Sequence, residues 1–164
     1  MFEKFGEFDS AEELNRAAAG FRAEGDWESL RALAEENGID AEDAQDYIDG
    51  AAGELAGAYS AAVGRLAVLL RGETENADPG EAQALRLIHS MAAGITLEDP
   101  ELCEGVMKSG KRLTAVYEAL REGARTRQSR GVGVACGTDR QLRGIIRTYF
   151  GGGDVEDAVQ ALYR

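Results

Sequence analysis

The stretch SLRALAEENGIDAEDAQDYIDG, residues 29–50, has the layout of two helices around a tight corner. Leu33 and Ala34 close one amphipathic segment, Gly38 stands where the chain must turn, Ile39 fills the angle, and Ala44 and Tyr47 fall on the inner face of the second segment. That is the spacing of a helix-turn-helix unit that reads DNA. The second helix, AEDAQDYID, is unsuited to that use. It carries Glu42, Asp43, Asp46 and Asp49 and no Lys or Arg, so phosphates would repel it. The corner points to a helical fold and raises the question of what such an acidic helix serves.

Outward from the corner, each helix signal has its own punctuation. Toward the N-terminus, Asp26 caps WESLRALAEEN, which places Trp27, Leu30, Leu33 and Ala34 on one face. Before it, Ser10 and Glu13 have the spacing of a capping box that opens a helix carrying Leu14, Ala17, Ala18 and Phe21 inward and stopping at Gly25. Asp40 caps the acidic helix. Three short helices thus make an N-terminal unit over about residues 1–50. Toward the C-terminus, GELAGAYSAAVGRLAVLL predicts a central helix over about 53–71, apolar on much of its circumference and packed on several sides.

The polar run RGETENADPG is the clearest internal boundary, and EAQALRLIHSMAAG predicts a helix after it. Asp99 followed by Pro100 opens a long helix running through ELCEGVMKSGKRLTAVYEALREGA, with Gly105 and Gly110 as its weak points. In GVGVACGT, Val132 and Val134 alternate as in a short strand, so a strand pair near 131–136 and a plain loop both fit. Thr138 or Asp139 caps DRQLRGIIRTYF, and Asp154 caps VEDAVQALYR. The chain reads as a mostly α, compact multi-helix bundle, one helical body over residues 1–164 whose basic half is about 100–164.

Composition narrows the function. The 164 residues are 44% hydrophobic and 29% charged, a globular balance, with a formal net charge of −12. Residues 1–60 alone hold 16 acids against four bases. Residues 105–150 hold ten bases against three acids, so the chain is electrically bipolar along its length. Cys103 and Cys136 have no second thiol or histidine at ligand spacing, which argues against a disulfide framework and a zinc site. The N-terminus lacks a basic start and an apolar run, and no stretch of about 18 apolar residues occurs. The expectation is a soluble, cytoplasmic protein with reduced thiols and no membrane contact.

Two surfaces stand out as binding surfaces. The first is acidic: Glu35, Glu36, Asp40, Glu42, Asp43, Asp46 and Asp49 crowd within 15 positions, and their repulsion is offset if a basic partner surface covers them. The ligand order of an EF-hand is absent, so calcium is not expected. The second is basic: Arg140, Arg143 and Arg147 recur at helical spacing opposite Leu142, Ile145, Ile146, Tyr149 and Phe150, with Arg125, Arg127 and Arg130 just upstream. Such a stripe binds phosphates or carboxylates, or pairs with the molecule's own acids. GVGVACGT lacks the Lys-Ser/Thr ending of a phosphate-cradling loop. His89 is the only histidine and has no nucleophile placed beside it by a recognisable motif. No catalytic residues, metal ligands or cofactor are expected, and the chain reads as non-enzymatic.

Residues 1–50, MFEKFGEFDSAEELNRAAAGFRAEGDWESLRALAEENGIDAEDAQDYIDG, and the C-terminal GIIRTYFGG, with its paired aliphatics and aromatic pair, resemble the two ends of small acidic proteins carried on plasmids, integrative elements and prophages of gut Firmicutes. The likeness covers the first third of the chain and its last fifth. Comparable sets have supplied inhibitors of CRISPR nucleases, so the resemblance implies an anti-CRISPR protein of a mobile genetic element acting on an RNA-guided nuclease. Such a nuclease holds its heteroduplex in a positively charged channel, where carboxylates can stand in for phosphates as a DNA mimic. The other reading is an accessory protein for plasmid or element replication or conjugation that touches nucleic acid through its Arg-rich half. The chain's net charge makes direct nucleic-acid contact weak. The sequence does not indicate an oligomeric state.

Overall fold

A computed structural model describes residues 1–126 and 137–162. Among these, nine helices succeed one another: α1 (Ala11–Glu24), α2 (Trp27–Glu36), α3 (Ala41–Asp49), α4 (Ala58–Thr74), α5 (Pro79–Glu98), α6 (Pro100–Met107), α7 (Leu113–Thr126), α8 (Asp139–Phe150) and α9 (Val155–Ala161). The fold is all-helical over the described residues. The strand pair considered near 131–136 lies outside them.

The cap chemistry explains most boundaries. Ser10, Asp26, Asp40, Asp78, Thr138 and Asp154 each accept a backbone N–H from the first turn of the helix they precede. Thr138, not Asp139, caps α8, and with Gln141 it completes a capping box. Ser10 binds the Glu13 amide, but the Glu13 carboxylate reaches past it to the Asp9 N–H at 2.8 Å.

Two apolar clusters meet on α4. The first joins Leu14 and Ala18 of α1, Leu30 and Leu33 of α2, and Ala44 and Tyr47 of α3, with Met107 reaching in from α6. The second gathers α5 to α9 around Leu85, Ile95, Leu113, Ile146 and Phe150. On α4, Ala61 belongs to the first cluster, and Ala62, Leu66 and Leu69 belong to the second. The α2–α3 corner is seated directly on this helix. Gly38 has φ of +69°, and a Cβ on it would stand 2.5 Å from the Gly64 carbonyl oxygen, so the corner requires glycine for both dihedral and space.

Three expectations need correction. Trp27 is 39% exposed, because it is the first residue of its helix and stands beyond the packed stripe. The central helix starts at Ala58, five residues later than Gly53, and runs on to Thr74. Asn15 of α1 explains the late start: its side chain accepts from Leu55 N and Ala56 N at 2.9 and 3.1 Å and donates to Ala56 O at 2.8 Å, giving residues 55 and 56 a non-helical partner. Within the polar run at 71–80, α4 ends and α5 begins, and α5 packs back along α4. Finally, the long helix expected from Pro100 is two helices, broken at 108–112, where Gly110 has φ of +80°. Glu7 and Asp9 accept the Gly110 and Ser109 N–H groups there, at 2.7 and 2.8 Å.

Candidate functional site

The acidic surface is built on α3. Ala44 and Tyr47 turn inward, so Glu42, Asp43, Asp46 and Asp49 turn out, and all four are exposed. Asp40 stays exposed while capping the helix through Glu42 N at 2.8 Å. Glu35 projects from the end of α2. Glu36 departs from the expected surface: it is half-buried and accepts the Lys4 and Phe5 N–H groups at 3.0 and 2.9 Å, which ties down the N-terminal segment.

Among the described residues, no ion pair joins Glu35, Asp40, Glu42, Asp43, Asp46 or Asp49 to a base. The nearest polar partners are neutral or local. Gln45 donates to Asp49 at 2.9 Å, and Arg31 is spent on the Gln45 amide oxygen at 3.1 Å. Arg22 stacks on the inner Tyr47 ring, 4.7 Å from its centroid. Glu42 and Asp43 suit the positive first turn of α3, but Asp46 and Asp49 approach its negative end, where the last turn has no base. Asp43, Asp46 and Glu54 also flank a shallow cleft of about 190 Å³ floored by Leu55. No group of three potential ligands among the described residues could hold a metal ion.

The arginine surface has a different character. On α8, Arg143 donates through Nη2 to both Glu98 carboxylate oxygens at 2.8 and 2.7 Å. Arg147 stands 4.0 Å from Glu98 and 3.8 Å from Asp99. Asp99, expected to cap α6, makes no side-chain cap bond and faces Arg147. Arg140 is exposed without an ion pair among the described residues, and Arg125 pairs with Glu122 at 3.8 Å. Arg127 and Arg130 lie outside the described residues. Arg143 and Arg147 thus close on acids at the α5–α6 junction, and the N-terminal acidic unit takes no part in those pairs.

A charged cluster that sequence reasoning missed lies between the two cores. Arg65 of α4 is 2% exposed, donates to Phe8 O at 2.7 Å, lies 3.4 Å from Glu7, and stacks against the Phe2 ring. Glu7 also accepts from Arg112. Burial raises the Glu7 pKa, but hydrogen bonds from Arg112 and Gly110 and the charges of Arg112 and Arg65 outweigh it and hold the carboxyl below its usual range. Next to it, Lys111 donates to Tyr149 O at 2.6 Å and Arg112 N donates to Tyr149 Oη at 2.9 Å. The Glu7 contacts latch the N-terminal segment to the α6–α7 loop, and the Tyr149 contacts tie that loop to α8. Arg65 lies four residues after Ala61 on a helix whose buried side is otherwise Gly, Ala, Val and Leu, and that inward register is the signal the sequence offers.

His89 is half-buried, its Nε2 has no partner, and burial lowers its pKa. Cys103 is buried, donates weakly to Thr96 O at 3.6 Å, and burial pushes its thiol pKa up, away from thiolate chemistry. Among the described residues no helix is long and apolar enough to cross a membrane. No family model, curated protein or solved structure matches the chain.

Proposed function

We propose that this chain is a non-enzymatic interaction protein whose α3 face docks on the basic, nucleic-acid-binding surface of a partner protein. Among partners of that chemistry, the resemblance makes an RNA-guided CRISPR nuclease the first candidate. The observation that carries the reading is the set of exposed carboxylates on α3 without basic partners among the described residues, two of them near the unfavourable end of the helix dipole. Exposed carboxylates along a helix present negative charge as a phosphate backbone does, and a positively charged nucleic-acid channel supplies the missing counter-charge. The arginine surface favours nucleic-acid binding less, because Arg143 and Arg147 already face Glu98 and Asp99.

Replacing Glu42, Asp43, Asp46 and Asp49 together by Gln and Asn tests this. All four side chains are exposed, so the fold is expected to persist, and association is expected to slow more than dissociation speeds up. The measurements are target cleavage by guide-loaded nucleases and association rates across a salt series. Equal inhibition and equal salt slopes for wild type and variant would remove α3 as the contact. Inhibition of no nuclease would remove that partner class. Sub-micromolar binding of duplex DNA at about 150 mM salt, where charges are screened beyond roughly 8 Å, would favour the accessory-protein reading.

A further inference from the structure

Helix α5 carries a buried apolar stripe and, opposite it, an uncharged outer stripe with an exposed leucine at each end. Leu85, Ile88, Ala92 and Ile95 face the second core and are buried. On the outward side, Leu87 is 49% and Leu97 69% exposed, with Ser90 and Gly94 between them. The steps of three, four and three residues make 87, 90, 94 and 97 a second continuous seam. From Leu87 to Leu97 the helix has no charged residue, in a chain that is 29% charged. Two of the five large hydrophobics that stand exposed among the described residues lie on this one seam.

We infer that this outer seam of α5 is the interface of an antiparallel, two-fold symmetric homodimer. The order of residues selects the occupant. Reversing the helix about Ala92 sets Leu87 against Leu97, Ser90 against Gly94 and Arg86 against Glu98. Leucines meet at both ends, Ser90 meets Gly94 near the crossing, and opposite charges close each end. A parallel pair would set Arg86 against Arg86 and Glu98 against Glu98. Arg86 is exposed and makes no ion pair among the described residues. Glu98 is held toward the seam's end by Arg143, whose Nη1 lies at contact distance from a Cβ built on Gly94. The acidic α3 packs in the other core, so the dimer presents two acidic faces and gains avidity on a partner with two sites.

The test is light scattering and sedimentation of the full chain over a concentration series. The expected result is a rise from the 17.5 kDa monomer toward twice that mass. Leu97→Glu and Leu87→Glu are expected to hold the chain monomeric with unchanged helical content. Arg86→Glu and Glu98→Arg are each expected to weaken self-association about tenfold, and mixing the two is expected to restore it as a heterodimer, since both ends are then complementary. An independent readout is oxidative cross-linking. A mixture of Leu87→Cys and Leu97→Cys chains is expected to give a disulfide-linked pair, and neither variant alone is expected to do so. A monomer at every concentration, a dimer indifferent to Leu97→Glu, or cross-linking of each cysteine variant with itself would overturn the assignment.

Discussion

Glu7→Ala is expected to cost about 3 kcal/mol of stability, the lower end of what breaking a buried ion pair costs when its partner stays behind. The partner here is Arg65, 2% exposed, whose Nε already has no hydrogen bond among the described residues. Removing Glu7 also strips Arg112 of its acid and the Gly110 N–H of its acceptor, so the damage spreads to the α6–α7 loop. For a chain of this size, about 2–4 °C per kcal/mol makes that a fall in Tm of roughly 6–12 °C. Replacing both Glu7 and Arg65 by apolar residues of similar volume is expected to recover much of the loss, because no unpaired charge is then buried. A double variant no more stable than Glu7→Ala would show that the latch acts through hydrogen-bond geometry and not through charge.

The same carboxyl makes stability depend on pH, with a definite sign. Its pKa in the folded protein lies below the ordinary 4.5, so its contribution is fully present above that value and is lost as pH falls through the lower, folded-state pKa. Asp26, which caps α2, adds in the same direction, its pKa being lowered chiefly by the hydrogen bond from Ser29 N. Urea midpoints measured from neutral pH down into the acid range should therefore fall for wild type. Glu7→Gln is expected to start lower and to fall less steeply. Parallel curves would mean that Glu7 does not titrate as its surroundings require.

The helices that the sequence made legible are those whose ends are capped by side chains next to them in the chain. Ser10, Asp26, Asp40, Thr138 and Asp154 are visible as caps, and each of them serves as one. The inward faces of α3 and α8 were readable from periodicity, as was the outward direction of Glu42, Asp43, Asp46 and Asp49. The misread boundaries depend on residues far away in the chain. Asn15 delays α4 by binding residues about 40 positions later, and Glu7 and Asp9 hold open the break after α6 across 100 or more. A local pattern contains neither contact. The same holds for the two charged surfaces, which look alike in sequence: only tertiary structure shows Arg143 engaged by Glu98 while the α3 carboxylates have no ion pair among the described residues. Glu36 shows it within one cluster, since its outward neighbour Glu35 has the same charge and a different task.

Gly64→Ala is expected to reverse the usual sign of a glycine-to-alanine change in a helix. In an exposed helix interior, alanine gains about 0.5–1 kcal/mol over glycine, because the unfolded glycine has more backbone freedom to lose. Gly20 in α1 and Gly144 in α8 meet that condition, since a Cβ on either touches nothing within 4 Å, and both should become more stable by that amount. A Cβ on Gly64 would stand 2.5 Å from Asn37 O and 2.8 Å from Gly38 O. Both atoms are backbone, so no flexible side chain can yield. The α2–α3 corner must move away from α4, with an overpacking cost of about 1–3 kcal/mol that outweighs the gain in propensity. Because α3 hangs from that corner, the shift should also displace the acidic face, and partner association should change even where the variant is folded. Denaturation midpoints for the three alanine variants, read at equal m-values, decide the matter. A Gly64→Ala protein as stable as Gly20→Ala would show that the corner does not rest on α4 and that α3 is not held in the orientation described.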